Sequence, residues 1–89
     1  MAPRTVRDVI GDRETWPNYR YGGAGMPQLR GAKITWVRPV DPDELQVSIE
    51  AHGQTLASTF VIEDRDLRLR VQALLVPGTE VVAALDQEL

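Results

Sequence analysis

Leu45, Val47, Ile49 and Ala51 alternate with Gln46, Ser48, Glu50 and His52, and after Gly53-Gln54 a second run sets Leu56, Ser58, Phe60 and Ile62 against Ala57, Thr59 and Val61. A period of two sends successive side chains to opposite faces of a pleated strand, so each run buries one face and leaves the other polar. The Gly53-Gln54 pair supplies a tight reversal, and strands joined so closely pair antiparallel. Upstream, Ala32, Ile34 and Trp36 alternate with Lys33, Thr35 and Val37, which predicts a strand over residues 32–38 with Trp36 facing inward. Pro39 and then Asp41-Pro42-Asp43 break that pattern and mark a turn. The expectation is a three-stranded antiparallel meander whose second strand is central.

The flanking segments read as helices. Thr5 can cap a short helix through Ile10, with Gly11 able to end it in the left-handed conformation. After the third strand, Asp64 or Asp66 can cap a helix whose apolar residues Leu67, Val71, Leu74 and Leu75 follow i, i+4, i+7, i+8 spacing. Leu69 and Val76 fall off that face. The same stretch, residues 64–76, also alternates Leu67, Leu69, Val71 and Ala73 with Arg68, Arg70 and Gln72, so a fourth strand competes. Helix is favoured, because Leu, Arg, Gln and Ala are good helix formers and β-branched residues are sparse there. Pro77-Gly78 ends the element, and Thr79 is expected to cap a last helix from Glu80 to about Glu88. The fold class is therefore α+β, with a short N-terminal helix, a long Gly-rich loop, the meander, and two C-terminal helices packed on one face.

With 89 residues there is chain enough for one core, so residues 1–89 are expected to form a single small domain. The absence of cysteine excludes disulfides, zinc–thiolate sites and thiol nucleophiles. Met1 to Ile10 has no apolar leader region, and no stretch approaches the about 18 apolar residues of a membrane span, which makes cytoplasmic the expected location.

Charge is segregated along the chain. Up to Arg38, seven basic side chains (Arg4, Arg7, Arg13, Arg20, Arg30, Lys33, Arg38) face three acids; from Pro39 onward, three arginines face ten acids, giving the net −3. The basic part also holds Trp16, Tyr19, Tyr21 and Trp36, and rings beside cations suit contact with a partner. The segment from Trp16 to Gly31, with Gly22, Gly23, Gly25, Pro17 and Pro27, has no helical or strand period and is expected to be a loop. Its glycines do not form a phosphate cradle, since Gly22-Gly23-Ala24-Gly25 runs into Met26-Pro27 rather than Lys-Ser/Thr.

These observations point to a non-catalytic protein with no cofactor and no metal. His52, the one histidine, falls at a hairpin end without a nucleophile in sequence around it, and scattered carboxylates with one imidazole do not define a metal set. The candidate binding residues are Trp16, Tyr19, Arg20, Tyr21, Arg30, Lys33 and Arg38. A second candidate surface is a homodimer contact through Val81, Val82, Leu85 and Leu89, whose apolar area is covered either by a second copy or by Val6, Val9 and Ile10 of the N-terminal helix folding back. The leading expectation is protein–protein association, self or otherwise. The alternatives are a nucleic-acid accessory protein using the basic-aromatic surface, and an acidic inhibitor or immunity-type protein whose carboxylates after Pro39 address a basic target.

Overall fold

In the computed structural model the described residues are 2–11, 31–51 and 53–89. Their elements run α1 (Val6–Ile10), β1 (Lys33–Val40), β2 (Glu44–Ala51), β3 (Gln54–Val61), α2 (Arg65–Leu74) and α3 (Val81–Leu85). The three strands pair antiparallel in the order β1-β2-β3, so the most regularly alternating run of the sequence is central. Ile49 stands opposite Ile34 on one side and Leu56 on the other, and Leu45, Val47 and Ile49 are wholly buried. Phe60 of β3 and Ile62 just after it share one buried cluster with Val71 of α2, Leu75 at its C-cap, and Val81, Ala84 and Leu85 of α3.

Two features of β1 correct the sequence reading. The strand continues through Pro39 to Val40 rather than stopping at Arg38, because it lies at the sheet edge, where a proline is tolerated. The register also shifts between Ile34 and Trp36, a bulge that sets Trp36 opposite Ser48 and Val37 opposite Val47. Trp36 thereby turns outward, with 38% of its surface exposed, and Val37 takes the place against the core.

Within the stretch after Ile62, the ten residues Arg65–Leu74 form a helix, not a fourth strand. Asp64 Oδ1 accepts from the Leu67 amide at 3.0 Å, capping α2, and Arg68 Nη1 donates to the Ile62 carbonyl at 2.7 Å to hold the helix against the end of β3. Leu69 and Val76 are exposed, as the helical spacing requires. Beyond Gly78, at φ 92°, the chain does not enter a helix at once. It first runs along the free side of β1: the Gly78 amide donates to the Ile34 carbonyl (2.7 Å), the Ile34 amide to the Thr79 carbonyl (2.9 Å), and the Val81 amide to the Ala32 carbonyl (2.9 Å). The Thr79 hydroxyl bonds back to the Val76 carbonyl at 2.6 Å, so Glu80 is the cap and α3 is only five residues long. The expected helix to Glu88 is shortened at both ends by this pairing and by the return of Glu88 to Thr5.

α1 packs on α3. The Val6 amide donates to the Gln87 carbonyl at 3.0 Å, the Leu89 amide to the Arg4 carbonyl at 2.9 Å, and Arg7 Nη2 pairs with Asp86 Oδ1 at 2.9 Å. Gly11 ends α1 with φ −78°, outside the left-handed region. Glycine serves there for room, since a Cβ would stand 2.5 Å from the Arg7 carbonyl oxygen. Asp8 Oδ2 accepts from the amides of Arg4 (2.9 Å) and Thr5 (3.1 Å), and these bonds hold its carboxyl below the ordinary 3.8.

Ile49→Ala is expected to cost about 2–5 kcal/mol in urea or thermal melts, because nothing can collapse into the space between three strands and two helices. Ser58 gives the opposite expectation. Its hydroxyl is buried on the inward face of β3 with no partner among the described residues, so Ser58→Ala should leave stability unchanged or raised. Asp8 adds a pH test. Because its carboxyl is depressed in the folded chain, its contribution is present above its unfolded value and lost as pH falls through the folded one. The stability gap between the native protein and Asp8→Asn should be constant at neutral pH and close below about pH 4, as read by melts across that range.

Candidate functional site

The face of the sheet turned away from the helices is built in cross-strand rows fixed by register. Lys33 stands beside Glu50 and Thr55; Trp36 beside Ser48 and Ala57; Arg38 beside Gln46 and Thr59; Val40 beside Glu44 and Val61. The bulge is what brings Trp36 into this set. Arg38 follows two residues later on the same face, its guanidinium carbon 4.7 Å from the centre of the Trp36 ring, and its Nε donates to Gln46 Oε1 at 2.8 Å. A long cation that normally samples many rotamers is thus held over an aromatic ring by a cross-strand hydrogen bond. Beside it, Thr35 Oγ1 donates to Ser48 Oγ at 2.8 Å, and Ser48 has no exposed surface although it belongs to the outer row.

The electrostatics of this face are mixed. Lys33 and Arg38 provide two cations; Glu44 and Glu50 provide two anions from the neighbouring strand. Val40 (37% exposed) and Val61 (62% exposed) make an apolar corner at the end of the face nearest the β1–β2 turn. Chemically, such a surface offers one planar cationic platform, a few satisfied hydroxyls and a small greasy corner. It has the makings of a contact surface. Among the described residues no three acidic or histidine side chains converge as metal ligands would. No helix among them is long and apolar enough to cross a membrane.

Of the binding residues singled out from sequence, Lys33 and Arg38 are exposed on β1, on one face and separated by the Trp36 row. Trp16, Tyr19, Arg20, Tyr21 and Arg30 lie outside the described residues, as does His52. The four C-terminal residues expected at a dimer contact are distributed differently. Val81 and Leu85 are buried within the chain itself, 1% and 0% exposed, while Val82 and Leu89 are half-buried against the same core. α1 packs on α3, and its Val6 and Ile10 belong to the same buried cluster as Val81 and Leu85. Trp36 is the functional candidate that inward alternation concealed, and Gln46 is the one that a list of cations and rings does not contain.

Comparison with protein-family models, with curated proteins and with solved structures found no match.

The outward position of Trp36 has a measurable signature. A core tryptophan truncated to alanine costs about 3–5 kcal/mol. Trp36→Ala should instead cost about 1 kcal/mol or less, since the ring is exposed and its one specific contact among the described residues is a surface cation–π pair. Chemical melts of the two proteins decide it, and a loss of the core magnitude would place the ring inside.

Proposed function

We propose that this protein is a non-catalytic interaction module that associates with another protein, and first of all with a second copy of itself, through the outer face of its sheet. The observation that carries the reading is the Trp36–Arg38–Gln46 arrangement. Tryptophan and arginine dominate binding hot spots because they bring large contact area with a polar handle, and here both are ordered before any partner arrives. Self-association is favoured over an unrelated partner because a two-fold contact needs both signs of charge on one patch, and this face carries Lys33 and Arg38 together with Glu44 and Glu50. α1 packs on α3, and among the described residues no helix covers the outer face of the sheet. A nucleic-acid role is less well supported: the two carboxylates on the same face oppose a phosphate backbone approaching Lys33 and Arg38.

Two such faces packed together should bury more than about 1,000 Å² in total. Sedimentation of the native protein through the micromolar range is expected to show a dimer, with Arg38→Glu and Trp36→Ala shifting it to monomer while the far-ultraviolet dichroism stays unchanged. A strict monomer of 9.9 kDa for the native chain sinks the self-association reading.

A further inference from the structure

A second surface lies away from Trp36 and Arg38, at the far end of β3, and shares only Val61 with the sheet face. Where β3 ends and α2 begins, the N-terminal strap of residues 2–4 and the outer side of α1 stand off from the body and leave a cleft of about 720 Å³. That is within the range of about 300–1,000 Å³ typical of ligand sites. Its apolar lining comes from Ile62, buried, and from Val9 and Leu67, both half-buried, with Val61 exposed at the mouth. Its charged lining is one-sided: Asp8, Glu63 and Asp64 against Arg4 alone.

The carboxylates are not all engaged. Asp8 is engaged by the amides of Arg4 and Thr5, by the Thr5 side chain and by the Arg4 charge, whereas Asp64 spends Oδ1 on the Leu67 amide and keeps its second oxygen without a partner among the described residues. Glu63, exposed at the rim, bonds to nothing among the described residues. The start of α2 carries the partial positive charge of a helix N-terminus, but Asp64 and Asp66 in its cap and first turn offset it. An apolar trough rimmed by three carboxylates suits a ligand that is itself aliphatic along its length and cationic at its ends. Lysine and arginine side chains have that form, with methylene stems that lie on apolar surface and heads that stay near water. The mouth is open on the side of Val61 and Glu63, so a chain can cross the cleft rather than be enclosed by it.

We infer that this cleft docks a short basic segment of a partner protein, with lysine or arginine stems and a neighbouring apolar side chain against Val9, Ile62 and Leu67 and the cationic heads at Glu63 and the second oxygen of Asp64. The segregation of charge along the sequence makes the assignment coherent, because Glu63 and Asp64 belong to the acidic part and are brought against the strap by the fold. The inference does not depend on whether the sheet face dimerises.

The test uses the full chain, isotopically labelled, with a short peptide alternating lysine and leucine as the probe and a glutamate–leucine peptide as its counterpart. Binding of the basic peptide at low salt should move the amide resonances of Val9 and of residues 61–67 and leave those of Lys33 to Arg38 in place. Glu63→Lys should weaken binding about tenfold, while Glu80→Lys, which changes net charge equally but lies outside the cleft, leaves it unaltered. The proposal is overturned by any of four results: no binding of the basic peptide, equal binding of the acidic one, equal weakening by Glu63→Lys and Glu80→Lys, or n-hexylamine binding as tightly as the peptide, which would make the cleft a site for a free amine.

Discussion

Three backbone hydrogen bonds between residues 78–81 and the first turn of β1 organise the rest of this molecule. A three-stranded meander has two open edges, each a row of unpaired amides and carbonyls that must find partners or water. By laying Gly78, Thr79 and Val81 along Ala32 and Ile34, the chain closes half of one edge and in the same stroke fixes where α3 begins. That placement drives Val81, Ala84 and Leu85 into the core, where Val6 and Ile10 of α1 join them. Both terminal segments are therefore committed to one layer. Among the described residues the other face of the sheet carries no helix, and its rows of side chains follow strand register.

Much of this architecture is legible in the sequence, for local reasons. The alternation through Leu45 to Ala51 admits one orientation, since a shift by a single residue would bury Glu50 and expose Ile49. In the stretch after Ile62, a helical reading and an alternating reading compete, and the helix prevails because Asp64 is correctly placed to cap it and Leu67, Val71, Leu74 and Leu75 share a face. What the sequence conceals is set at long range. Trp36 and Val37 are adjacent apolar residues, and either can face inward; the bulge that chooses Val37 depends on pairing with β2. The step of three from Ile34 to Val37 is its one local trace. Pro39 reads as a stop because its tolerance in a strand depends on that strand being an edge. The length of α3 is decided by Ile34, which lies some forty-five residues upstream.

The candidate surfaces divide in the same way. Lys33 and Arg38 are legible as exposed cations because strand alternation places them opposite the core. Val81, Val82, Leu85 and Leu89 are legible as apolar, but that Val81 and Leu85 are buried together with Val6 and Ile10 of α1 is a matter of tertiary packing that no local spacing shows. The cleft under the N-terminal strap cannot be seen in the sequence at all, since its walls come from residues 2–9 and 61–67 and no spacing rule connects them. Charge segregation along the chain becomes, in three dimensions, two surfaces of different character: a mixed face carrying a stacked tryptophan and arginine, and an acidic trough with an aliphatic floor.

The docking of α1 also sets an order of events in time. The hairpins β1–β2 and β2–β3 close over a few residues each, whereas α1 finds its main partner about seventy-five residues along the chain. Closing a loop of that length carries a length-dependent entropy of roughly 4 kcal/mol, and contacts so distant in sequence form late in folding. Five residues of helix, one surface ion pair and two buried side chains are a slender return on it. The meander is thus the part that assembles first and opens last, and the N-terminal strap is the part that arrives last and detaches first. Amide exchange at Val6 and Leu89 should follow that strap rather than global unfolding, which makes the acidic cleft a feature completed only in the final step of folding.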